Sequence, residues 1–165
     1  MESSPGIELI QVGGIALETR RGTPIPNAQY RELEQPELLR GGNPTRGLDV
    51  TVKTEPTGVY NCHGLTFAAR RTGIDPDAFD FQRLLEEDCY ELVDQERNAL
   101  PGDVVLYYDS SGKLQHSGMV IAGPENGFGF PRVLSKWGRW GEVIHLAHVV
   151  SELYGPTREY RRVVR

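Results

Sequence analysis

The residues of this chain best suited to chemistry are Cys62, in the stretch VYNCHGLTF, and His116, more than fifty positions later in LQHSGMV. Asn61 is a favoured helix cap, because its side-chain oxygen can accept a bond from a free amide one turn in. That cap puts Cys62 in the first helical turn, where unpaired amides and the positive end of the helix dipole favour a thiolate and lower its pKa. The same amides can hold the oxyanion that develops during acyl transfer. Gly64 keeps the backbone bare beside the thiol, as a closely approaching substrate requires. A thiol nucleophile also needs a base. His116 begins an apolar strand after a hairpin turn, and alternation groups it with Leu114, Gly118 and Val120. Gly118 removes a side chain next to the imidazole and leaves room for another group. Taken singly, a buried structural cysteine and a core histidine are the commoner readings. Together, a helix-tip cysteine followed by a strand histidine form the nucleophile–base pair of cysteine hydrolases. His63, beside the cysteine, is turned elsewhere by a helix and is not the expected base.

Other chemistries are less well supported. Cys62, His63, Cys89, His116, His145 and His148 include no CxxC spacing and no HExxH, so no metal or other cofactor is expected. The glycine-rich stretches GGNP and SSG lack the Lys-Ser/Thr that leads a phosphate loop into a helix. A net charge of -5 argues against a nucleic-acid partner, and the arginines of TREYRRVVR read as a solvated last strand. No apolar run approaches the roughly 20 residues that span a bilayer. The first residues, MESSPGIELIQVGG, lack the basic start and apolar block of a secretory signal. Two cysteines 27 positions apart fit reduced thiols in the cytoplasm better than a disulfide.

The elements that must position these residues are legible in outline. The 165 residues suit a single domain, with residues 1–58 as an arm wrapping a core at 59–165. The arm is broken by Gly and Pro. It offers IELIQV and LDVTV as strands and a short helix in NAQYRELEQPELLR that stops near Pro36. From Asn61 a helix is expected to run to Gly73, with Leu65, Ala68, Ala69 and Thr72 on one face. A second helix is expected in DPDAFDFQRLLEED, capped by Asp75 with Pro76 at its first position, and Ala78, Phe81, Leu84 and Leu85 facing inward. CYELV, VVLYYD, LQHSGMVIA, RVLSKW, GEVIHLAHVV and REYRRVV then read as strands. Helices followed by an antiparallel meander make an α+β fold, with the helices packed on a central antiparallel sheet.

In this order YNCHGLTFA, LPGDVVLYYDSSGKLQHSGMVIAG and VLSKWG resemble the NlpC/P60 superfamily of papain-like cysteine peptidases and amidases. In particular they resemble a branch found in domains of bacterial toxin proteins. The match covers Tyr60 to Gly138, about half the chain. It implies a papain-like fold, Cys62 as nucleophile and His116 as base, with oxyanion donors around Cys62. It also implies a third polar residue on the strand after His116, accepting the imidazole N–H and fixing its tautomer. Ser135 stands at about that place; His145 is favoured slightly as the stronger acceptor, and Glu142 is more remote. Lys136 has no acceptor. His63 departs from the serine usual after the cysteine.

The expected function is a cysteine peptidase or amidase cleaving an amide or isopeptide bond through a thioester, in a bacterial toxin or defence setting. Acyl transfer or deamidation would use the same pair. The substrate would be a peptide or protein, peptidoglycan peptides included, with Asn61, Gly64 and Trp137 (or Trp140) lining its groove. The alternative is an inactive binding, immunity or adaptor module on the same scaffold.

Overall fold

The structure is a computed structural model that describes residues 10–165. It is an α+β fold built on a seven-stranded, fully antiparallel sheet. Its strands are β3 (Thr51–Val52), β5 (Tyr90–Val93), β6 (Val104–Tyr108), β7 (Leu114–Ala122), β8 (Arg132–Lys136), β9 (Glu142–Leu146) and β10 (Thr157–Val163), in the spatial order β3-β9-β8-β7-β6-β10-β5. The six later strands fall on the apolar runs expected of them, and LDVTV supplies the exposed edge strand β3. A smaller sheet joins β1 (Gln11–Gly13), β2 (Asn27–Tyr30) and β4 (Gly73–Ile74). The first nine residues, including half of IELIQV and most of the stretch read for a secretory signal, lie outside the described residues. Residues 10–58 thus supply β1 and β2 to the smaller sheet and β3 to the larger, β2 pairing with β4 and β3 with β9.

The helices are shorter than the sequence suggests. α1 (Gln35–Arg40) carries Pro36 in its first turn instead of stopping there, because a first-turn proline loses no intrahelical bond and Glu34 and Glu37 cap it reciprocally. α2 (Cys62–Phe67) does begin at the Asn61 cap, whose Oδ1 accepts the Gly64 amide at 2.9 Å. It stops six residues later, not at Gly73. Ala69 and Arg70 take left-handed φ values of 49° and 65°, and the Arg70 and Ala68 amides both close on the Gly64 carbonyl. The turn brings Thr72 back across the helix. α3 (Phe81–Glu87) is capped by Asp80, not Asp75; Asp75 caps a separate turn through Asp77, and Ala78 is exposed. Phe81, Leu84 and Leu85 do face the core.

Two apolar layers sandwich the sheet. On one face Leu106 and Leu114 pack with Ala68, Ile74 and the α3 residues; on the other Val105, Tyr107, Val120 and Val133 pack with Ala147 and Tyr160. Strand β7 crosses between these layers unevenly. His116 pairs with Tyr107 but Leu114 pairs with Tyr108, so Gln115 is the extra residue of a bulge. The bulge puts Leu114 on the helix face and Val120 on the other, which corrects the simple alternation read from LQHSGMV.

Candidate active site

α2 lies across β7 and β8, and its register is set by a polar chain of fixed direction. The Thr66 hydroxyl donates to the Cys62 carbonyl at 2.9 Å, and the Ser117 hydroxyl donates to Thr66 at 3.1 Å. Ser117 Oγ must then accept from His63, 2.9 Å away, which makes His63 a neutral Nδ1–H tautomer. Burial pulls the His63 imidazole down to about 4. His63 is therefore a structural strut between helix and strand, turned from the thiol as expected.

The residues read as substrate contacts hold the fold together instead. Asn61 uses its whole side chain as a clasp: Oδ1 also accepts from Ile74 N at 3.1 Å and Nδ2 donates to Ile74 O at 2.7 Å. A Cβ at Gly64 would stand 1.8 Å from the Thr72 carbonyl oxygen, so the glycine is needed by the returning backbone and not by a substrate. Trp137 is fully buried, its indole N–H bonded to Ser135 Oγ at 2.9 Å, and does not wall a groove. Trp140 is half-buried.

Cys62 is buried at the first position of α2. Burial pushes its thiol up, against the amides of Ser117 and His63 and the charge of Lys136, which all act to lower it. The expected depression of the thiol is thus reversed: six residues make a weak dipole, and desolvation outweighs it. The Ser117 amide that faces the thiol belongs to the peptide joining His116 and Ser117. β7 and β8 pair from Gly118 and Ser135 onwards, so at this peptide β7 has already left its neighbour. The thiol meets the sheet where the two strands part.

On β7 the Ser117 side chain faces α2, and His116 lies on the other face against Tyr107 and Tyr154. His116 is fully buried, and neither ring nitrogen has a hydrogen-bond partner. Desolvation holds it well below the ordinary imidazole range, with the neighbouring His145 and His63 acting the same way. Tyr154, from the turn Glu152–Tyr154 between β9 and β10, stacks on the imidazole with centroids 3.9 Å apart and planes 6° from parallel. Tyr154 is also within electrostatic range of Cys62, and so belongs to both residues' surroundings. No hydrogen bond joins His116 to Cys62.

Neither candidate for the third place bonds His116. His145 Nδ1 donates to the Leu146 carbonyl at 2.8 Å, which leaves Nε2 to accept from the Ser135 hydroxyl at 2.7 Å. Trp137, Ser135 and His145 therefore form a closed chain of their own, and burial takes His145 down to about 4. The two candidates satisfy each other and leave the imidazole of His116 unoriented.

The structure adds residues that the motifs did not single out. Lys136, dismissed above as lacking an acceptor, is fully buried at the end of β8, on the same face as α2. Its Nζ donates to the Gly138 carbonyl at 2.6 Å and lies 5.2 Å from the Tyr60 ring centroid. Glu142, opposite Lys136 in register, accepts the Tyr60 hydroxyl at 2.6 Å and the Arg70 guanidinium at 2.5 Å. Burial alone would raise this carboxyl, yet Arg70 and Tyr60 hold it below the ordinary range. One carboxylate thus ties the chain before and after α2 to the start of β9. The signal in the sequence was a lysine within the apolar strand VLSKW.

Among the described residues no cluster of three or more His, Cys, Asp or Glu could hold a metal ion, and no helix is long and apolar enough to cross a membrane. A cavity of about 380 Å³ between β5 and β10 and one of about 120 Å³ beside α3 are both lined by residues other than those around Cys62. No family model, curated protein or solved structure matches the chain.

Proposed function

We propose that this chain is a cysteine hydrolase of the papain-like NlpC/P60 kind, acting on an amide or isopeptide bond of a peptide or protein. The observation that carries the reading is the presence of two unusual buried groups at neighbouring positions along β7. One is a helix-tip thiol faced by the amide that follows His116. The other is an imidazole with both nitrogens unpartnered, although buried polar groups are nearly always bonded. A buried imidazole with no partner, one residue before the amide that faces the thiol, is a base awaiting a proton.

In the reaction His116 takes the Sγ proton and the thiolate attacks the substrate carbonyl carbon. A C–S bond forms while the carbonyl π pair moves onto oxygen. Collapse breaks the C–N bond, and the departing amine takes the proton from the imidazolium. Water then hydrolyses the thioester; another amine in its place would make the product of acyl transfer. Tyr154 covers His116 in the closed form, so turnover requires its turn to move aside.

Iodoacetamide labelling read by mass spectrometry tests this. Cys62 is expected to react in the folded protein faster than Cys89, and His116→Ala to slow it about tenfold or more. A second reading, an inactive scaffold, is favoured by the raised thiol and the Tyr154 stack. It predicts that Cys62 stays unlabelled until the protein unfolds while Cys89 reacts; that result would remove the hydrolase reading.

A further inference from the structure

A lysine with no exposed surface needs an explanation. Lys136 is the last residue of β8 and is fully buried, yet among the described residues it makes no ion pair within 4.0 Å. The nearest acidic group on its own sheet face, Glu142, is already bonded by Arg70 and by the Tyr60 hydroxyl. The ammonium is left with one backbone carbonyl, that of Gly138, and the face of the Tyr60 ring. Burying a cation on such terms is costly, and unpaired buried lysines concentrate at functional sites. Tyr60 stands two residues before Cys62, so the amine is held at the entrance of the same helix that carries the thiol.

The groups that face the amine come from every element around it. They are Cys62 on α2, Tyr60 before α2, Glu142 on β9 with Arg70 behind it, Glu32 after β2, and Arg139 in the β8–β9 turn. Of these, the carboxylate of Glu142 and the guanidinium of Arg70 largely cancel each other. Glu32 is bonded by the Thr57 hydroxyl and the Gly58 amide, and the thiol of Cys62 is the group whose charge appears only on activation.

We infer that Lys136 is the electrostatic partner of the Cys62 thiolate, stabilising the charge left on sulfur when His116 removes its proton. This rests on the hydrolase reading. In the closed state the thiol is protonated and Lys136 is a cation, since burial brings the amine down only to about 8. When His116 takes the Sγ proton, Lys136 stays protonated and answers the new negative charge on sulfur. When sulfur attacks and its charge passes to the carbonyl oxygen, the same cation faces that charge. Ser135 and His145, bonded to each other, are not required. Lys136 thus acts through Cys62 as a positioning charge.

The test compares the pH dependence of Cys62 alkylation by iodoacetamide in wild type, Lys136→Met and Lys136→Arg. The methionine keeps much of the side-chain length and removes the charge. It should raise the midpoint by about one pH unit, slowing alkylation about tenfold at a fixed pH below the midpoint. The arginine should keep the midpoint near that of wild type. An unchanged midpoint in Lys136→Met would overturn the assignment while leaving the hydrolase reading intact. Should Lys136→Met fail to fold, Lys136→Gln decides, with the Cys62 midpoint read from the ultraviolet absorbance of the thiolate in a Cys89→Ala background. Loss of the charge should raise that midpoint by about one pH unit, and no movement would overturn the inference. This second readout needs no alkylation, so it stands even if Cys62 proves unreactive and the hydrolase reading falls.

Discussion

Replacing His116 by phenylalanine should make the protein more stable and inactive together. The imidazole is fully buried with two unpartnered nitrogens, and each unsatisfied buried polar group costs about 1–3 kcal/mol. Phenylalanine removes both, keeps a ring for the Tyr154 stack, and adds bulk worth about 1–3 kcal/mol of strain. A net gain of about 2 kcal/mol corresponds to roughly 4–8 °C in Tm for a chain of this size. The pH dependence supplies an independent check. His63 and His145 are held at about 4, and His116 well below the ordinary 6.5. Below about 6.5 the unfolded chain takes protons on these imidazoles while the folded chain does not, so stability is complete above that pH and falls as the pH drops. Three such groups give a slope of about 4 kcal/mol per pH unit near pH 5, and two give about 3. Denaturant unfolding of wild type and His116→Phe between pH 4.5 and 7 measures both quantities. A variant less stable than wild type at pH 7, or one with an undiminished acid slope, would refute the claim that this imidazole is buried neutral and unbonded.

Tyr154→Ala should raise the rate of Cys62 alkylation about tenfold, because the ring covering His116 is removed; an unchanged rate would show that the Tyr154 turn does not limit access. Ser135→Ala should cost about 1–3 kcal/mol in denaturant unfolding, since it leaves both Trp137 Nε1 and His145 Nε2 without their partner. The pH profile of Cys62 labelling should be unmoved by the same change, and a displaced profile would restore Ser135 to the orienting role that the motif gave it.

Much of this protein follows from local sequence. The cap at Asn61, the strands from Tyr90 to Val163 and the inward residues of α3 are dictated by side-chain chemistry within a few residues, and local signals carry them. What lay beyond the sequence depended on contacts between distant segments. α2 ends early because the chain must return past Gly64 with Thr72 in backbone contact, a constraint that helix propensity does not contain. Asn61 and Trp137 were legible as residues with polar handles, but only the tertiary arrangement shows those handles spent on Ile74 and Ser135. The bulge at Gln115 re-aims Leu114 relative to His116, which no alternation pattern reveals.

The sequence by itself determined that a thiol stands at a helix entrance and that a histidine lies on a strand after it. Only the tertiary structure decided their electrostatic state, because a pKa is set by the balance of desolvation against nearby charge. Burial raises Cys62 and lowers both His116 and Lys136.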